Sequence, residues 1–238
     1  MGASRRPANP DRRRTLSRQQ AKQVYDRAAR RGAAQDSESR YGGPATEALR
    51  DQLRRWKGVG EARTVVEFGC GQGNLAKRLL AAELGGVESY LCVDQSPEMC
   101  EAARGRLDER AEVVLSDGDP ARAFSSVPDG SVDIVLSTYV LDLLCEDDLC
   151  TVVEEAERVL KPAGALALTG LTYGADGVAA LTSSAWELVH RVWPELVGGC
   201  RCQRLRDYLS SEAWTEVDRR VVTGGLLTSE VILLQKNP

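Results

Sequence analysis

Three glycines at alternate positions, Gly69, Gly71 and Gly73, follow the apolar run Val65, Val66 and Phe68. A glycine turn between a buried strand and a helix bares backbone N–H groups. It admits a polar or anionic ligand because no Cβ blocks the approach and positive φ costs glycine little. Two carboxylates frame this turn: Glu67, two residues before the first glycine, and Asp94, about twenty residues on. The second stands at the distance at which α/β nucleotide sites place an acid for ribose hydroxyls. A carboxylate accepts two hydrogen bonds from a vicinal diol; Asp94 would also serve as a cap for a helix opening at Ser96-Pro97. A dinucleotide turn, G-x-G-x-x-G, needs its third glycine at position 74, where Asn74 stands.

The elements that must hold these groups follow from periodicity. Residues 64–68 read as a buried parallel strand, and Leu75, Leu79 and Leu80 mark one face of the helix after the turn. Further strands are predicted over 89–94, 113–115, 131–137 and 165–171, with an amphipathic helix over 146–160 that stops at Pro162 and Gly164. Ser17 is placed to cap a helix reaching about Arg31, and Leu49, Leu53 and Trp56 mark a second helix. Beyond residue 173 the pattern predicts a helix over 181–192, which carries the single histidine, and a short one over 203–210. A hairpin of residues 214–222 and 226–235 closes the chain.

The series Glu67-x-Gly69-x-Gly71-x-Gly73, Asp94 after the second strand, Asp117 after the third, STYVLDLL at 137–144 and RVLKPAG at 158–164 resembles class I S-adenosylmethionine (SAM)-dependent methyltransferases. The nearest resemblance is to the broad group of small-molecule and quinone-biosynthesis methyltransferases. It implies an α/β, Rossmann-like, mostly parallel seven-stranded sheet ordered 3-2-1-4-5-7-6, with a C-terminal antiparallel hairpin and an N-terminal helical lid. It implies a tail over 1–16, a lid over 17–61, and a SAM-binding domain over 62–238 with a substrate-side insertion at 174–211.

SAM would be the cofactor, leaving as S-adenosylhomocysteine. The resemblance assigns the methionine part to Glu67 and the glycine turn, the ribose to Asp94 and the adenine amino group to Asp117. Cys70, Gln95, Ser116, Gly118, Ser137 and Tyr25 complete its cofactor set. For an acceptor that must lose a proton, His190 and Asp142 are the candidate bases; many relatives carry histidine near the second position. Tyr139, Trp193 and Arg201 are candidate substrate contacts.

A net charge of −4 gives no overall field towards nucleic acid, although residues 1–31 hold ten Lys or Arg against two acids. That basic start reads as a disordered tail, with a transit peptide as the alternative. The asparagine-proline-proline-tyrosine type motif of amino-group DNA and protein methylators is absent after the fourth strand, where Ser137-Thr138-Tyr139 stands. Charge and motif together favour a small-molecule acceptor over nucleic acid. Seven scattered cysteines predict reduced thiols in a cytoplasmic protein, and Cys200-x-Cys202 alone makes a poor metal site, so none is expected. No apolar run is long enough to span a bilayer. The rival readings are a non-catalytic SAM-binding scaffold and a NAD-dependent oxidoreductase, the latter opposed by Asn74.

Overall fold

Strands whose residues are nearly all apolar need cover on both faces, which is the signature of a central parallel sheet. The computed structural model, which describes residues 15–30 and 42–238, puts β1 (Thr64–Phe68) in that position. It pairs in parallel with β2 (Ser89–Asp94) on one side and β4 (Val132–Thr138) on the other, Val66 lying level with Leu91 and Val135. β3 (Ala111–Leu115) forms one edge. β5 (Leu160–Thr172) continues the parallel set, and β7 (Leu227–Lys236) and β6 (Trp214–Gly224) complete it antiparallel. The order is β3-β2-β1-β4-β5-β7-β6, as the resemblance implied.

The helices form two layers. On one face lie α2 (Gly43–Arg55) and α3 (Asn74–Ala81), whose Leu49, Leu53, Leu75 and Leu79 pack with Tyr90 and Leu136 of the sheet. On the other lie α5 (Pro120–Ala123) and α6 (Glu146–Val159), which bring Ala123, Leu149, Val152 and Ala156 onto Val66, Val135 and Ile232. Phe124, next to α5, stacks on Phe68 at 5.6 Å between ring centroids. α2 contributes chiefly to the core: Gln52 Nε2 donates to Val231 O at 3.2 Å, and Thr46 is its one residue at the cavity described below.

α1 (Arg18–Arg30) opens with reciprocal bonds in which Gln20 N donates to Ser17 Oγ at 3.2 Å and Ser17 N donates to Gln20 Oε1 at 3.0 Å. α4 (Pro97–Arg104) is capped by Ser96, whose Oγ accepts from Met99 N.

Three predicted elements shift. β5 begins at Leu160, five residues early, because Leu160 pairs with Val132 and the Lys161-Pro162-Ala163-Gly164 stretch is absorbed as an irregularity of the strand. Ala163 turns there at φ 63°, and Lys161 Nζ meets Asp133 Oδ1 at 2.7 Å. α7 (Gly177–Val192) starts four residues early because Asp176 Oδ1 accepts from Ala179 N at 3.1 Å. The helix predicted over 203–210 is a single 3₁₀ turn, Leu205–Tyr208. Of the predicted tail, residues 1–14 lie outside the described residues, whereas Leu16 is buried. Among the described residues no helix is long and apolar enough to cross a membrane.

Leu79 has no exposed surface and sits between α3 and the sheet. Leu79→Ala is expected to lower stability by about 2–5 kcal/mol in urea denaturation, with the slope unchanged. A loss below about 1 kcal/mol would contradict this account of the core.

Candidate functional site

The turn from β1 to α3 takes its course from three left-handed glycines: Gly69 at φ 77°, Gly71 at 55° and Gly73 at 75°. A Cβ at Gly69 would also stand 2.1 Å from Val140 Cγ2. Gly69 N and Cys70 N both donate to Val93 O, at 2.7 and 3.1 Å, which fastens the turn to the end of β2. Asp94 follows directly, with Oδ2 accepting from Gly71 N and Oδ1 from Ser96 N, each at 2.9 Å. Burial raises the Asp94 carboxyl above its ordinary range against the pull of these N–H donors. Glu67 is buried, and Tyr90 donates its hydroxyl to Glu67 Oε2 at 2.7 Å. Burial and the Glu67 charge push the Tyr90 phenol well up, so it stays a donor.

These groups open on one cavity of about 560 Å³, a size usual for a small-ligand site (roughly 300–1,000 Å³). Gln95, Ser116 and Gly118 form one part of its wall, where Gly118 N donates to Ser116 Oγ at 2.9 Å. Tyr25, Tyr139, Leu143 and Cys200 form another and pack on one another. α1 closes a side: Arg18 reaches Asp148 of α6 at 2.7 Å and Asp119 at 3.3 Å. Lower down, Asp26 Oδ1 accepts from Ser96 Oγ at 2.5 Å and Oδ2 pairs with Lys22 at 2.8 Å. Burial would raise Asp26, but Lys22 and the Ser96 hydroxyl outweigh it and hold the carboxyl below its usual range.

Of the predicted cofactor residues, Tyr25, Glu67, Gly69, Cys70, Gly71, Asp94, Gln95, Ser116 and Gly118 line this cavity. Gly73 stands behind it as the cap of α3. Asp117 is turned outward to Arg122 at 2.7 Å, since the turn folds Gly118 back onto Ser116 and leaves the intervening side chain outside. Ser137 is buried in the sheet, donating to Phe68 O at 3.1 Å.

Among the candidate catalytic and substrate residues only Tyr139 reaches the wall. His190 faces inward from α7, its Nε2 3.2 Å from Gly199 O. Arg201 is buried and donates to Gln203 Oε1 at 3.3 Å, and Trp193 is 61% exposed. Asp142 is sealed in the interior, where Oδ2 accepts from Leu171 N at 2.8 Å and Oδ1 from Gln203 Nε2 at 3.4 Å. It cross-links the chain after β4 to β5 and to the segment before the hairpin.

Wall residues that sequence reasoning missed include Leu16, Arg18, Leu143, Cys145 and Asp148. The Ser17-x-x-Gln20 capping signature marks where α1 starts, yet nothing local marks the side it turns to the cavity. Cys200 is pushed up to about 12 by burial and by Asp142, and Cys70 is raised by the Cys92 thiol and by burial. Both therefore stay protonated at neutral pH, poor nucleophiles and poor metal ligands. Among the described residues no three His, Cys, Asp or Glu side chains converge as a metal site.

Burial lifts Asp142 to about 7, against the opposing Leu171 N–H, Arg201 and Gln203; the unfolded value is about 3.9. The folded chain thus binds more protons between these values. Its contribution to stability is fully present below about pH 4 and is lost as pH rises to about 7. Asp142→Asn keeps an oxygen for Leu171 N and removes the titration. The stability of this variant relative to the native chain should therefore rise across pH 4–7 in denaturation curves, and a flat difference would refute the assignment.

Residues 66–168 match the family described as "Methyltransferase domain". No curated protein sequence matches. Among solved structures, a chain from the complex between the Haloferax volcanii Trm112 methyltransferase activator and a methyltransferase superposes with a TM-score of 0.67. It shares 20% identity, with 90% of this chain and 98% of that one covered. An O-methyltransferase family protein from Burkholderia thailandensis gives 0.61 at 19% identity, covering 81% of this chain and 56% of that one. N-methyltransferase NodS from Bradyrhizobium japonicum, solved with S-adenosyl-L-homocysteine, gives 0.57 at 16% identity, covering 81% and 87%. Residues 66–168 thus match a methyltransferase-domain family, and the chain has the α/β, Rossmann-like fold of class I methyltransferases.

Proposed function

We propose that this chain transfers the methyl group of SAM to a small, largely apolar organic acceptor. The observation that carries this reading is a single cavity. It joins Glu67, the glycine turn and Asp94 to a recess walled by Tyr25, Tyr139, Leu143 and Cys200.

The residues present fit the cofactor. A Cβ at Gly71 would meet nothing within 4 Å, so the turn has an open side beside Asp94. Gln72 Oε1, from a residue on the same wall, is buried with no hydrogen-bond partner among the described residues. Glu67 and the turn would take the methionine part and Asp94 the ribose diol, with Gln95, Ser116 and Gly118 beside the adenine. When bound, the cofactor supplies a methyl group already activated by the sulfonium charge. What remains for the chain is to align the acceptor and exclude water, tasks suited to an apolar recess covered by α1.

The carboxylates on the wall are engaged: Glu67 by Tyr90, Asp94 by two N–H groups and Asp148 by Arg18. That arrangement favours an acceptor atom that brings its own lone pair, such as a neutral amine or a thiolate, over one needing a strong base. A second reading, that the chain works with a protein activator, draws support from the Haloferax complex.

Calorimetric titration tests the cofactor assignment. Binding in the micromolar range is expected for SAM and S-adenosylhomocysteine, with none for NAD. Asp94→Ala and Gly71→Val should each weaken it at least about tenfold, measured well below an unfolding temperature that the strain at position 71 and the N–H groups freed from Asp94 will lower. Unchanged affinity in both variants would remove the site. S-adenosylhomocysteine formation is then measured against amines, thiols, phenols and quinones. Turnover by the chain alone supports the small acceptor, and turnover only with an added activator protein supports the second reading.

A further inference from the structure

Helix α7 is amphipathic in the reverse sense for a surface helix. Four of its polar side chains face the protein. Ser183 Oγ accepts from Gly174 N at 2.9 Å, Trp186 Nε1 donates to Cys200 O at 2.8 Å, and Glu187 Oε1 accepts from Cys202 N at 2.6 Å. His190 completes this face at Gly199 O. Outward stand Val178, Leu181, Ala185, Leu188 and Val192, spaced three, four, three and four residues apart, and the stripe continues into Trp193 and Leu196. Its six large members are between 61% and 74% exposed. A three-four repeat of this kind is the seam of a two-helix coiled contact. The only Asp, Glu, Lys or Arg residues in α7 are Glu187, on the inner face, and Arg191. Depletion of charge over an apolar centre is the compositional mark of an interface.

Among the described residues nothing covers this stripe. Residues 1–14 and 31–41, which lie outside the described residues, contain no Leu, Ile, Val, Phe or Trp. The stripe instead matches itself in reverse. About Ala185, Leu181 mirrors Leu188 and Val178 mirrors Val192, while the small side chain at the centre allows two helices to cross closely. Beyond the mirror, Trp193 would reach the start of the opposite helix, where Gly177 leaves open space. The six large side chains expose roughly 700 Å², close to the ~800 Å² that each partner buries in a standard-size interface.

We infer that this chain forms a two-fold symmetric dimer by antiparallel packing of α7 on α7 of a second copy. Such an interface is isologous, as two-fold closure requires. It lies on the outer side of the helix whose Trp186 holds Cys200 at the cavity wall, so the dimer would brace the recess from outside.

Sedimentation equilibrium of the full chain is expected to show a dimer at micromolar concentration. Leu181→Glu and Leu188→Lys should each weaken association at least about tenfold by burying a charge against apolar side chains. Both should still unfold cooperatively, losing only the concentration-dependent stabilisation that the dimer adds, since neither side chain is part of the core. Mixing the two variants should restore a dimer, because in the antiparallel register the introduced acid and base meet across one half of the interface. A native chain that stays monomeric at about 100 μM overturns the inference and leaves the face to a different protein. A dimer indifferent to both substitutions, or a mixture that fails to reassociate, overturns the α7 register.

Discussion

The carbonyl of Val93 accepts two N–H groups, from Gly69 and Cys70, and the site is built outward from that junction. It welds the end of β1 to the end of β2 before α3 begins. The backbone can make both bonds only by turning left-handed, which is why glycines occupy positions 69, 71 and 73. The space freed at Gly69 is then filled by Val140, which follows β4. Its neighbour Tyr139 is itself left-handed at φ 56° and donates its N–H to Thr169 O of β5 at 2.8 Å. Four strand ends are thereby locked to one another at the edge of the cavity. A shift in any one would propagate, because packed side chains and hydrogen-bonded turns tolerate displacement poorly.

What the sequence reveals of this arrangement is its local half. The glycine turn and the acids at Glu67 and Asp94 rest on spacing and on apolar runs, which survive folding nearly unchanged, and the strand order rests on the family resemblance that those motifs carry. Side-chain direction beyond the turn does not. His190 and Asp142 have the chemistry of bases, but one lies on the inner face of α7 and the other is consumed by Leu171 and Gln203. Asp117 differs from Ser116 by one position in a turn, enough to point it to Arg122 instead of the cavity. Leu16 and Arg18 are legible only through partners more than a hundred residues away, as in the contact of Arg18 with Asp148.

α7 shows the same limit in another form. Periodicity detects a helix from one apolar stripe, and the stripe of Val178, Leu181, Leu188 and Val192 is genuine. Ordinary reasoning turns such a stripe inward. Here the inward side must satisfy backbone groups in the irregular segments flanking the helix, at Gly174, Gly199, Cys200 and Cys202. Leaving those groups buried and unpaired would be costly, so polar residues win that face and the apolar ones are left outside. The same requirement accounts for the inward placement of the single histidine at Gly199 O.

Asp94 and Asp142 illustrate why a displaced carboxyl is an ambiguous signal. Both are raised by burial, and both accept from backbone N–H donors. Their difference is access. Asp94 opens on the cavity, so a ligand carrying two hydroxyls can add donors to it and draw its charge into binding. Asp142 does not line that cavity, and its oxygens are already assigned to Leu171 and Gln203. A raised carboxyl is useful as an acid or base only where a substrate proton can reach it. Geometry therefore leaves the first open to the cavity and uses the second to hold the segment behind the recess in place.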